Sequence, residues 1–237
     1  MSTIRSISYD FLQTIITVAF LLVFSFLLLM PSKALQCAIR TWARVIWLLS
    51  IHILGMKVRV LGMENIPTGP VLVASKHQSA WDTAVFFLFF PNSVYVLKKE
   101  LLSLPLWGMY AKKYGVIAVD REGGGASVKK LIADTKGYLS IGRSVIIFPE
   151  GTRVRPGTRQ KFHPGVAAIY KNINVPTIPV ALNSGTLWGR RAIGMKRPGT
   201  ITIKFLPQIL PGLKRKDFME KLHTDINQAT EQLEREL

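Results

Sequence analysis

The sequence has a single cysteine, Cys37, among 237 residues. An intramolecular disulfide is therefore impossible, a Cys-rich metal site is excluded, and a reducing compartment is compatible with the chain. The four histidines are scattered and no H-E-x-x-H segment occurs, which argues against a zinc centre. There is also no G-x-S-x-G segment, no internal repeat and no low-complexity tract. We therefore expect no metal site and no cofactor.

Acidic residues are scarce as well. The chain has 14 Asp and Glu against 31 Lys and Arg, a formal net charge of +17. Such an excess implies an anionic partner: nucleic acid, an anionic membrane surface or a phosphorylated substrate. Hydrophobic residues make up 49% of the chain, which is high for a wholly soluble protein and suggests a membrane-associated part. The length allows one full domain and an appendage.

The appendage is expected at the N-terminus. Residues 11–30 carry no charge and are long enough to span the hydrocarbon core, and we expect Pro31 to end this helix. The length of the run and a poor cleavage site argue against a signal peptide. A second helix is predicted over 33–54, with a basic stripe of Lys33, Arg40 and Arg44 opposite an apolar stripe. This pattern is typical of an interfacial helix, and the alternative is an amphipathic helix packed on the globular domain.

Two membrane arrangements fit residues 1–55. The first helix spans while the second lies on the surface, or both dip into one leaflet as a hairpin. Lys and Arg are more numerous after the apolar run than before it, so the positive-inside rule puts the rest of the chain in the cytoplasm. The hairpin has the same consequence. We predict a two-helix membrane anchor over 1–55 and a separate domain over 56–237.

Residues 56–237 alternate short β-type runs with helical stretches. This alternation predicts an α/β domain with a mixed, largely parallel sheet of about seven strands covered by helices. Strands are expected at 58–61, 71–74, 94–97, 116–119, 145–148, 178–182 and 201–205. Helices are expected near 81–90, 101–113, 126–140, 164–173 and 216–236, and the glycines at 123–125 are expected to form a flexible connector.

Polar residues follow five consecutive predicted strands, from the second to the sixth. His77 follows the second, Lys98 the third, Arg121 the fourth, residues 149–153 the fifth and residues 183–185 the sixth. The carboxyl ends of strands are where α/β sheets place their chemistry. We therefore expect one cleft that combines a base, an acid and several cations.

His77 stands five residues before Asp82. On one continuous helix the two would point ~140° apart, so they can pair only if His77 lies on the turn before a helix that begins near Asp82. Such a pair would fix the imidazole tautomer and make His77 a general base. The alternative is a core histidine satisfied by a nearby acid. Ser79 lies too close to His77 in sequence for an easy nucleophile–base bond.

Residues 148–153 form a second candidate segment. Gly151 leaves a backbone N–H open to a ligand, Thr152 adds a hydroxyl and Arg153 adds a forked cation, which together suit a phosphate. Glu150 is predicted to orient Arg153 or a substrate hydroxyl. The alternative is a structural turn with an exposed salt bridge.

Four segments resemble the four ordered blocks of the glycerophospholipid acyltransferase family: His77-x4-Asp82 and residues 115–121, 148–153 and 175–180. Within this family the chain is most similar to the bacterial 1-acyl-sn-glycerol-3-phosphate acyltransferases, over roughly residues 57–210. The N-terminal helix pair resembles the family's membrane anchor. Two positions depart from the usual pattern: Lys76 stands where Asn is common, and His163 where Lys is common.

The resemblance implies an O-acyltransferase of phospholipid biosynthesis at the cell inner membrane, with its catalytic domain on the cytoplasmic face. It would transfer an acyl chain from acyl-CoA or acyl-ACP (acyl carrier protein) to the sn-2 hydroxyl of lysophosphatidic acid, giving phosphatidic acid. His77 and Asp82 would be catalytic. The residues implied in substrate binding are Lys98, Arg121, Glu150, Gly151, Thr152 and Arg153.

Other functions remain open at this point. Within the family, the acceptor could be glycerol 3-phosphate or another lysophospholipid. From a different class, the charge would suit a membrane-tethered nucleic-acid-binding protein, but no recognised nucleic-acid motif occurs and we expect no nucleic acid partner. An inactive membrane-shaping protein is the third alternative, and the presence of both His77 and Asp82 argues against it.

Overall fold

A computed structural model describes residues 2–236. It opens with two long helices, α1 (Ser2–Val23) and α2 (Ser32–Leu54), joined by a 3₁₀ turn at Ser25–Leu28. Tyr110 donates its hydroxyl to the carbonyl of Leu21, at 2.8 Å, and so satisfies one of the carbonyls left free in the last turn of α1. The first helix ends at Val23, where the chain reverses. The prediction that it would continue to Pro31 was therefore wrong. Pro31 is instead the residue that precedes α2.

The two predicted stripes of α2 are present, but its apolar stripe is inside the protein. Leu35 and Ile46 are buried, whereas Arg40 and Arg44 are exposed. This corresponds to the packed-helix alternative, because the apolar stripe contacts α1 and the following domain. The exposed apolar row lies on α1 and consists of Ile4, Ile7, Phe11, Ile15, Val18 and Leu22. Both helices are long and apolar enough to cross a membrane, judged by length and composition.

From Met56 onward the chain builds one seven-stranded sheet. Its strands are β1 (Met56–Leu61), β2 (Leu72–Ser75), β3 (Ser93–Lys98), β4 (Ile117–Val119), β5 (Ser144–Ile147), β6 (Thr177–Leu182) and β7 (Gly199–Phe205). Their order is β1-β7-β6-β2-β5-β3-β4, and the only antiparallel neighbours are β6 and β7. The predicted mixed, largely parallel sheet is confirmed. The five strands from β2 to β6 point the same way, so their carboxyl ends share one edge.

Six helices accompany the sheet: α3 (Trp81–Phe89), α4 (Trp107–Tyr114), α5 (Gly124–Ser140), α6 (Gly165–Asn172), the single turn α7 (Ser184–Leu187) and α8 (Arg215–Arg235). The continuous helix predicted at 101–113 was wrong. A 3₁₀ turn at Lys99–Ser103 precedes α4, because Pro105 forces Leu104 out of the helical region. Leu106 then takes a positive φ of 57° before α4 begins. The glycines expected as a connector open α5 instead.

The sheet is covered on both faces. Val73 and Ile146 point into a core shared with α1, α2 and α3. Their neighbours Leu72 and Val145 point into a second core shared with α5, α6 and α8. This alternation is what a strand buried on both sides requires. Because Tyr9 and Ile46 belong to the first core, the N-terminal helices are part of the packing around the sheet.

Candidate active site

The His77–Asp82 pair has the geometry that its spacing requires. β2 ends at Ser75 and α3 begins at Trp81, so His77 lies on the connecting turn and Asp82 in the first helical turn. The Nδ1 atom of His77 lies 3.1 Å from Oδ2 of Asp82. A carboxylate at this helix N-terminus also lies at the positive end of the helix dipole.

Asp82 is fully buried and its carboxylate is satisfied on both oxygens. Besides His77, Oδ2 accepts hydrogen bonds from the backbone N–H groups of Gln78 (2.6 Å) and Ser79 (2.8 Å). Oδ1 accepts from the hydroxyls of Ser79 and Ser184. Burial alone would raise the pKa of Asp82, but the hydrogen bonds from His77, Ser184 and Ser79 outweigh it and hold the pKa below its usual range.

An ionised Asp82 sets the tautomer of His77. The proton lies on Nδ1, which donates to the carboxylate, and the lone pair of Nε2 remains free to accept a proton. The backbone of His77 is fixed on both sides, since its N–H donates to Oε2 of Glu150 (2.9 Å) and its carbonyl accepts from the N–H of Val154 (2.8 Å). The imidazole stacks on Phe148 with 4.0 Å between ring centroids. These contacts hold the imidazole of His77 in one orientation.

Glu150 lies behind the turn that carries His77 and does not line the cavity beside it. It is fully buried, and its Oε1 lies 2.6 Å from Nζ of Lys76, which is only 1% exposed. Burial raises the pKa of Glu150, against the opposing effect of the Lys76 ammonium. In the described residues Glu150 therefore pairs with Lys76 and not with Arg153, and its burial leaves no surface toward the cavity for a substrate hydroxyl. Its carboxylate instead joins the two turns that follow β2 and β5.

Four predicted substrate-binding residues line the same cavity as His77: Lys98, Arg121, Gly151 and Arg153. Arg121 donates to the carbonyl of Gly151, and Nη1 of Arg153 donates to the carbonyl of Arg190 at 3.0 Å. Both guanidinium groups are thus held by main-chain oxygens and not by carboxylates. Their charge remains available to an anion.

Lys98 and Thr152 are less closely involved. Lys98 lines the cavity but its side chain is exposed. Thr152 is exposed and is not part of the lining. The structure therefore brings His77, Asp82, Arg121, Gly151 and Arg153 together, with Lys98 at the margin.

Gly151 is required by its conformation as well as by its surroundings. Its φ is +67°, in the left-handed region, and a Cβ there would lie 2.7 Å from the ring of His163. His163 lines the cavity at the position where a lysine is common in the resembling family. An imidazole, not an ammonium, is therefore the neighbour of this turn.

The cavity has a volume of about 1000 Å³ and extends from the polar edge of the sheet to the N-terminal helices. Apart from the residues above, its walls are mostly aromatic and aliphatic, with contributions from α1, α2, α3 and α4. Its apolar lining includes Phe20, Leu21, Ile39, Trp42, Ile46, Phe87, Trp107 and Tyr110. The site therefore suits a ligand with a long apolar part and an anionic group, with a base between the two.

Three contributors could not be identified from the sequence. The sequence shows Ser184 only as one of the polar residues at strand ends, and its bond to Asp82 bridges 102 residues. Lys76 departs from the family pattern, but the sequence does not indicate that it pairs with Glu150. Phe148 is the last residue of a predicted strand, and the sequence does not indicate that its ring stacks on His77. Each acts through a contact between distant segments, for which a single sequence carries no signal.

Residues 57–183 match the family model described as Acyltransferase. A 1-acyl-sn-glycerol-3-phosphate acyltransferase of Pseudomonas aeruginosa is 37% identical over 181 residues, which cover 76% of this chain and 70% of that protein. The protein of the same name from Limnanthes douglasii is 29% identical over 169 residues, covering 71% of this chain and 60% of the relative.

The fold also matches a solved structure. The crystal structure of the 1-acyl-sn-glycerophosphate (LPA) acyltransferase PlsC from Thermotoga maritima aligns with a TM-score of 0.78 and covers 98% of each chain. The two sequences are 22% identical, so this likeness concerns the fold. It includes the two N-terminal helices, since nearly the whole chain is covered.

Proposed function

Because the chain belongs to the acyltransferase family, we propose that it is a 1-acyl-sn-glycerol-3-phosphate acyltransferase. It would transfer an acyl chain from a thioester to the sn-2 hydroxyl of lysophosphatidic acid and so form phosphatidic acid. The observation that carries this proposal is the His77–Asp82 pair on the wall of an apolar cavity that also holds Arg121 and Arg153. The names of the curated relatives support this acceptor.

In the proposed reaction, His77 is the general base. Its Nε2 removes the proton from the sn-2 hydroxyl as that oxygen attacks the thioester carbonyl. Asp82 holds the tautomer and stabilises the imidazolium that forms, because its carboxylate is kept ionised by its hydrogen bonds. Collapse of the tetrahedral intermediate breaks the carbon–sulfur bond, and the imidazolium returns its proton to the thiolate. This route requires neither a metal nor an acyl-enzyme.

The phosphate of the acceptor would bind to Arg121 and Arg153. The backbone N–H of Gly151, predicted to be open to a ligand, already donates to the carbonyl of Phe148 at 2.9 Å and so is not a free donor. A guanidinium binds a phosphate with two parallel hydrogen bonds, which fixes the orientation of the substrate as well as its affinity. Lys98 would contribute a more distant charge. Glu150 would support the site indirectly, through its bonds to Lys76 and to the N–H of His77.

The acyl chains would occupy the apolar part of the cavity. Its volume of about 1000 Å³ is at the upper end of the range for small-molecule sites, as a lipid substrate requires. Acyl-CoA or acyl carrier protein would be the donor. The basic excess and the exposed apolar row on α1 favour an anionic membrane surface as the partner, on the cytoplasmic face of the inner membrane.

The test is an acyl-transfer assay with protein purified in detergent. Given labelled oleoyl-CoA and lysophosphatidic acid, the wild type should form phosphatidic acid, and His77→Ala should lower kcat by at least about 100-fold because the general base is lost. His223→Ala is the matched control, since His223 packs on Phe162 outside the cavity. It should retain activity.

Parallel reactions decide the acceptor. Glycerol 3-phosphate and lysophosphatidylcholine are assayed beside lysophosphatidic acid under the same conditions. If none of the preparations forms phosphatidic acid, the proposed activity is rejected. Faster acylation of one of the other two acceptors would reject the proposed substrate and leave the acyltransferase chemistry in place.

A further inference from the structure

Lys196 carries a buried charge that the proposed reaction does not use. Its side chain is 1% exposed, and a buried charge is costly unless it is paired. Asp10 of α1 supplies the carboxylate. The rings of Trp188 and Tyr9 lie 4.8 and 5.4 Å from the ammonium, which adds cation–π attraction. Helix α1 therefore holds Lys196 through an enclosed ion pair.

The same helix also binds the main chain around Lys196. The second carboxylate oxygen of Asp10 accepts from the N–H of Gly194 at 2.9 Å, and Nζ of Lys196 donates to the carbonyl of Gly194 at 3.0 Å. The hydroxyl of Ser6 accepts from the N–H of Lys196 at 2.9 Å. Gly194 and Lys196 are thus fixed to one side of α1.

Residues 188–196 form a loop with two fixed ends, which we call the 188–196 loop. At its start, Trp188 is buried and packs edge-on against Tyr9 with 5.2 Å between ring centroids. Residues 189–195 are all exposed. Since packing does not hold the middle of the loop, its conformation depends on its two ends. These ends contact α1 and also pair with each other through the bridge between Trp188 and Lys196.

The middle of this loop contacts Arg153. The carbonyl of Arg190 accepts the hydrogen bond from Nη1 of Arg153, at 3.0 Å, and Ala192 lines the cavity beside it. This carbonyl restricts the orientation of a guanidinium that has no carboxylate partner among its hydrogen bonds in the described chain. The connection therefore runs from Asp10 to Lys196, along the loop to Arg190, and from Arg190 to Arg153.

We infer that Asp10 and Lys196 are positioning residues for Arg153, acting through the 188–196 loop. The inference rests on the proposed role of Arg153 as a ligand of the acceptor's phosphate. Breaking the ion pair leaves Ser6 as the remaining hydrogen-bond contact between α1 and Lys196. The end of the loop is then held less firmly, the carbonyl of Arg190 moves, and the guanidinium loses its fixed orientation. Small displacements of a substrate-positioning group have large kinetic effects, so binding of the phosphorylated acceptor should weaken selectively.

Kinetics of Asp10→Asn and Lys196→Met test the inference. Each should raise the KM for lysophosphatidic acid by roughly fivefold or more and leave the KM for oleoyl-CoA unchanged. In an Arg153→Ala background the same substitutions should change the acceptor KM less than twofold, because the group they position is absent. Equal effects in both backgrounds would show that the pair does not act through Arg153 and would overturn the inference.

Hydrogen–deuterium exchange tests the loop without turnover. The amides of Gly194 and Lys196 should exchange faster in Asp10→Asn than in wild type, and Ser6→Ala should do the same at Lys196 with less risk to folding. Unchanged exchange in both variants would overturn the inference. If the wild type forms no phosphatidic acid, the proposed function fails, and this result still decides whether α1 holds the loop.

A control separates positioning from general destabilisation. Phe218 stacks on Tyr170, with 3.7 Å between the ring centroids, in the core on the face of the sheet opposite the N-terminal helices. Phe218→Leu should lower the thermal stability without changing the acceptor KM. An acceptor KM raised as much by Phe218→Leu as by Lys196→Met would count against a positioning role.

Discussion

Asp82 is buried, yet every hydrogen bond it receives favours the charged carboxylate. Two come from backbone N–H groups, two from hydroxyls and one from His77. The arrangement costs desolvation energy and recovers it through these bonds, so the folded protein prefers the ionised form. The bonds that keep Asp82 ionised therefore link folding stability to pH.

Acid should remove the contribution of Asp82 to stability. Because the folded pKa lies below the unfolded value of about 3.9, the contribution is complete above that value and is lost as the pH falls through the folded pKa. Asp82→Asn should be destabilised by about 2 kcal/mol or more at pH 7, since its amide NH₂ faces groups that are themselves donors. The difference from wild type should stay constant down to about pH 5 and narrow below about pH 4.

Chemical denaturation of both proteins in detergent, at several pH values between 7 and 3, measures this difference. If the difference in the free energy of unfolding between the two proteins grows in acid, the direction of the pKa shift assigned to Asp82 is wrong. A gap that does not change with pH would show that Asp82 gains nothing from its charge.

At the scale of elements, Lys76 joins three segments that are far apart in sequence. Its ammonium pairs with Glu150 and also donates to the carbonyl of Thr158 (3.0 Å) and to Oδ1 of Asn227 in α8 (2.9 Å). The C-terminal helix is thereby tied to the turns after β2 and β5. Lys76 and Glu150 thus form a buried ion pair, although the family that the chain resembles commonly has a neutral residue at the position of Lys76.

Removing one partner of this pair should lower the free energy of unfolding much more than removing both charges. Lys76→Met should lower the free energy of unfolding by about 3–5 kcal/mol, because Glu150 is left buried without a cation. Lys76→Met/Glu150→Gln should recover a large part of that loss, since Gln keeps an acceptor for the N–H of His77. Thermal and denaturant unfolding measure both values.

Lys130→Met provides the matched control. It breaks the pair with Asp134 on the surface of α5, where the Lys130 side chain is 66% exposed. Exposed pairs contribute little, so this variant should stay near the wild-type stability. A double variant as unstable as Lys76→Met would show that the cost does not arise from an unpaired charge.

Elements whose signal is local could be predicted, and those set by distant contacts could not. The strand runs and the position of α3 follow from hydrophobic pattern, and His77 had to precede α3 because a straight helix separates it from Asp82. The antiparallel placement of β7 depends on its pairing with β6 and β1, which no local pattern encodes. The break before α4 is a local effect of Pro105, which the helix predicted at 101–113 did not take into account.

The candidate site shows the same division. Polar residues that follow β2, β3, β4 and β5 line one cavity, because the direction of a parallel sheet brings these strand ends to one edge. Residues 183–185 after β6 were expected there too but are not part of its lining. Asp10 lies on an apolar helix and pairs with Lys196, 186 residues away, a contact that no local pattern indicates. Glu150 could not be separated from the phosphate-binding residues, since only the fold shows that it points toward Lys76.

On the scale of the whole molecule, positive charge and exposed apolar surface occur together. The net charge is +17, and α1 presents a row of uncovered apolar side chains that includes Phe11. Apolar contact and electrostatic attraction add in binding to anionic bilayers, with ~1 kcal/mol per basic residue near the surface. A membrane would thus cover the row of apolar side chains that α1 leaves exposed.

Vesicle co-sedimentation should therefore depend on both lipid charge and salt. Binding to vesicles that contain phosphatidylglycerol should exceed binding to phosphatidylcholine vesicles and should weaken as salt is raised. Phe11→Ser should reduce binding to both, because it removes apolar contact and no charge. Ile141→Ser, at an exposed position after α5, is the control and should bind like wild type. Equal binding to both lipids would exclude an electrostatic contribution.

The pairing of β1 with β7 has a consequence for how the chain folds as it is synthesised. Met56 of β1 pairs with Gly199 of β7. Strand β1 therefore has no neighbouring strand to pair with until most of the protein has been synthesised. Lys196, the partner of Asp10, emerges just before β7. A nascent chain therefore carries its helices, an unpaired strand edge and an unpaired Asp10 for most of its synthesis. Ribosome pausing before Gly199 would prolong the interval in which that edge is open to aggregation.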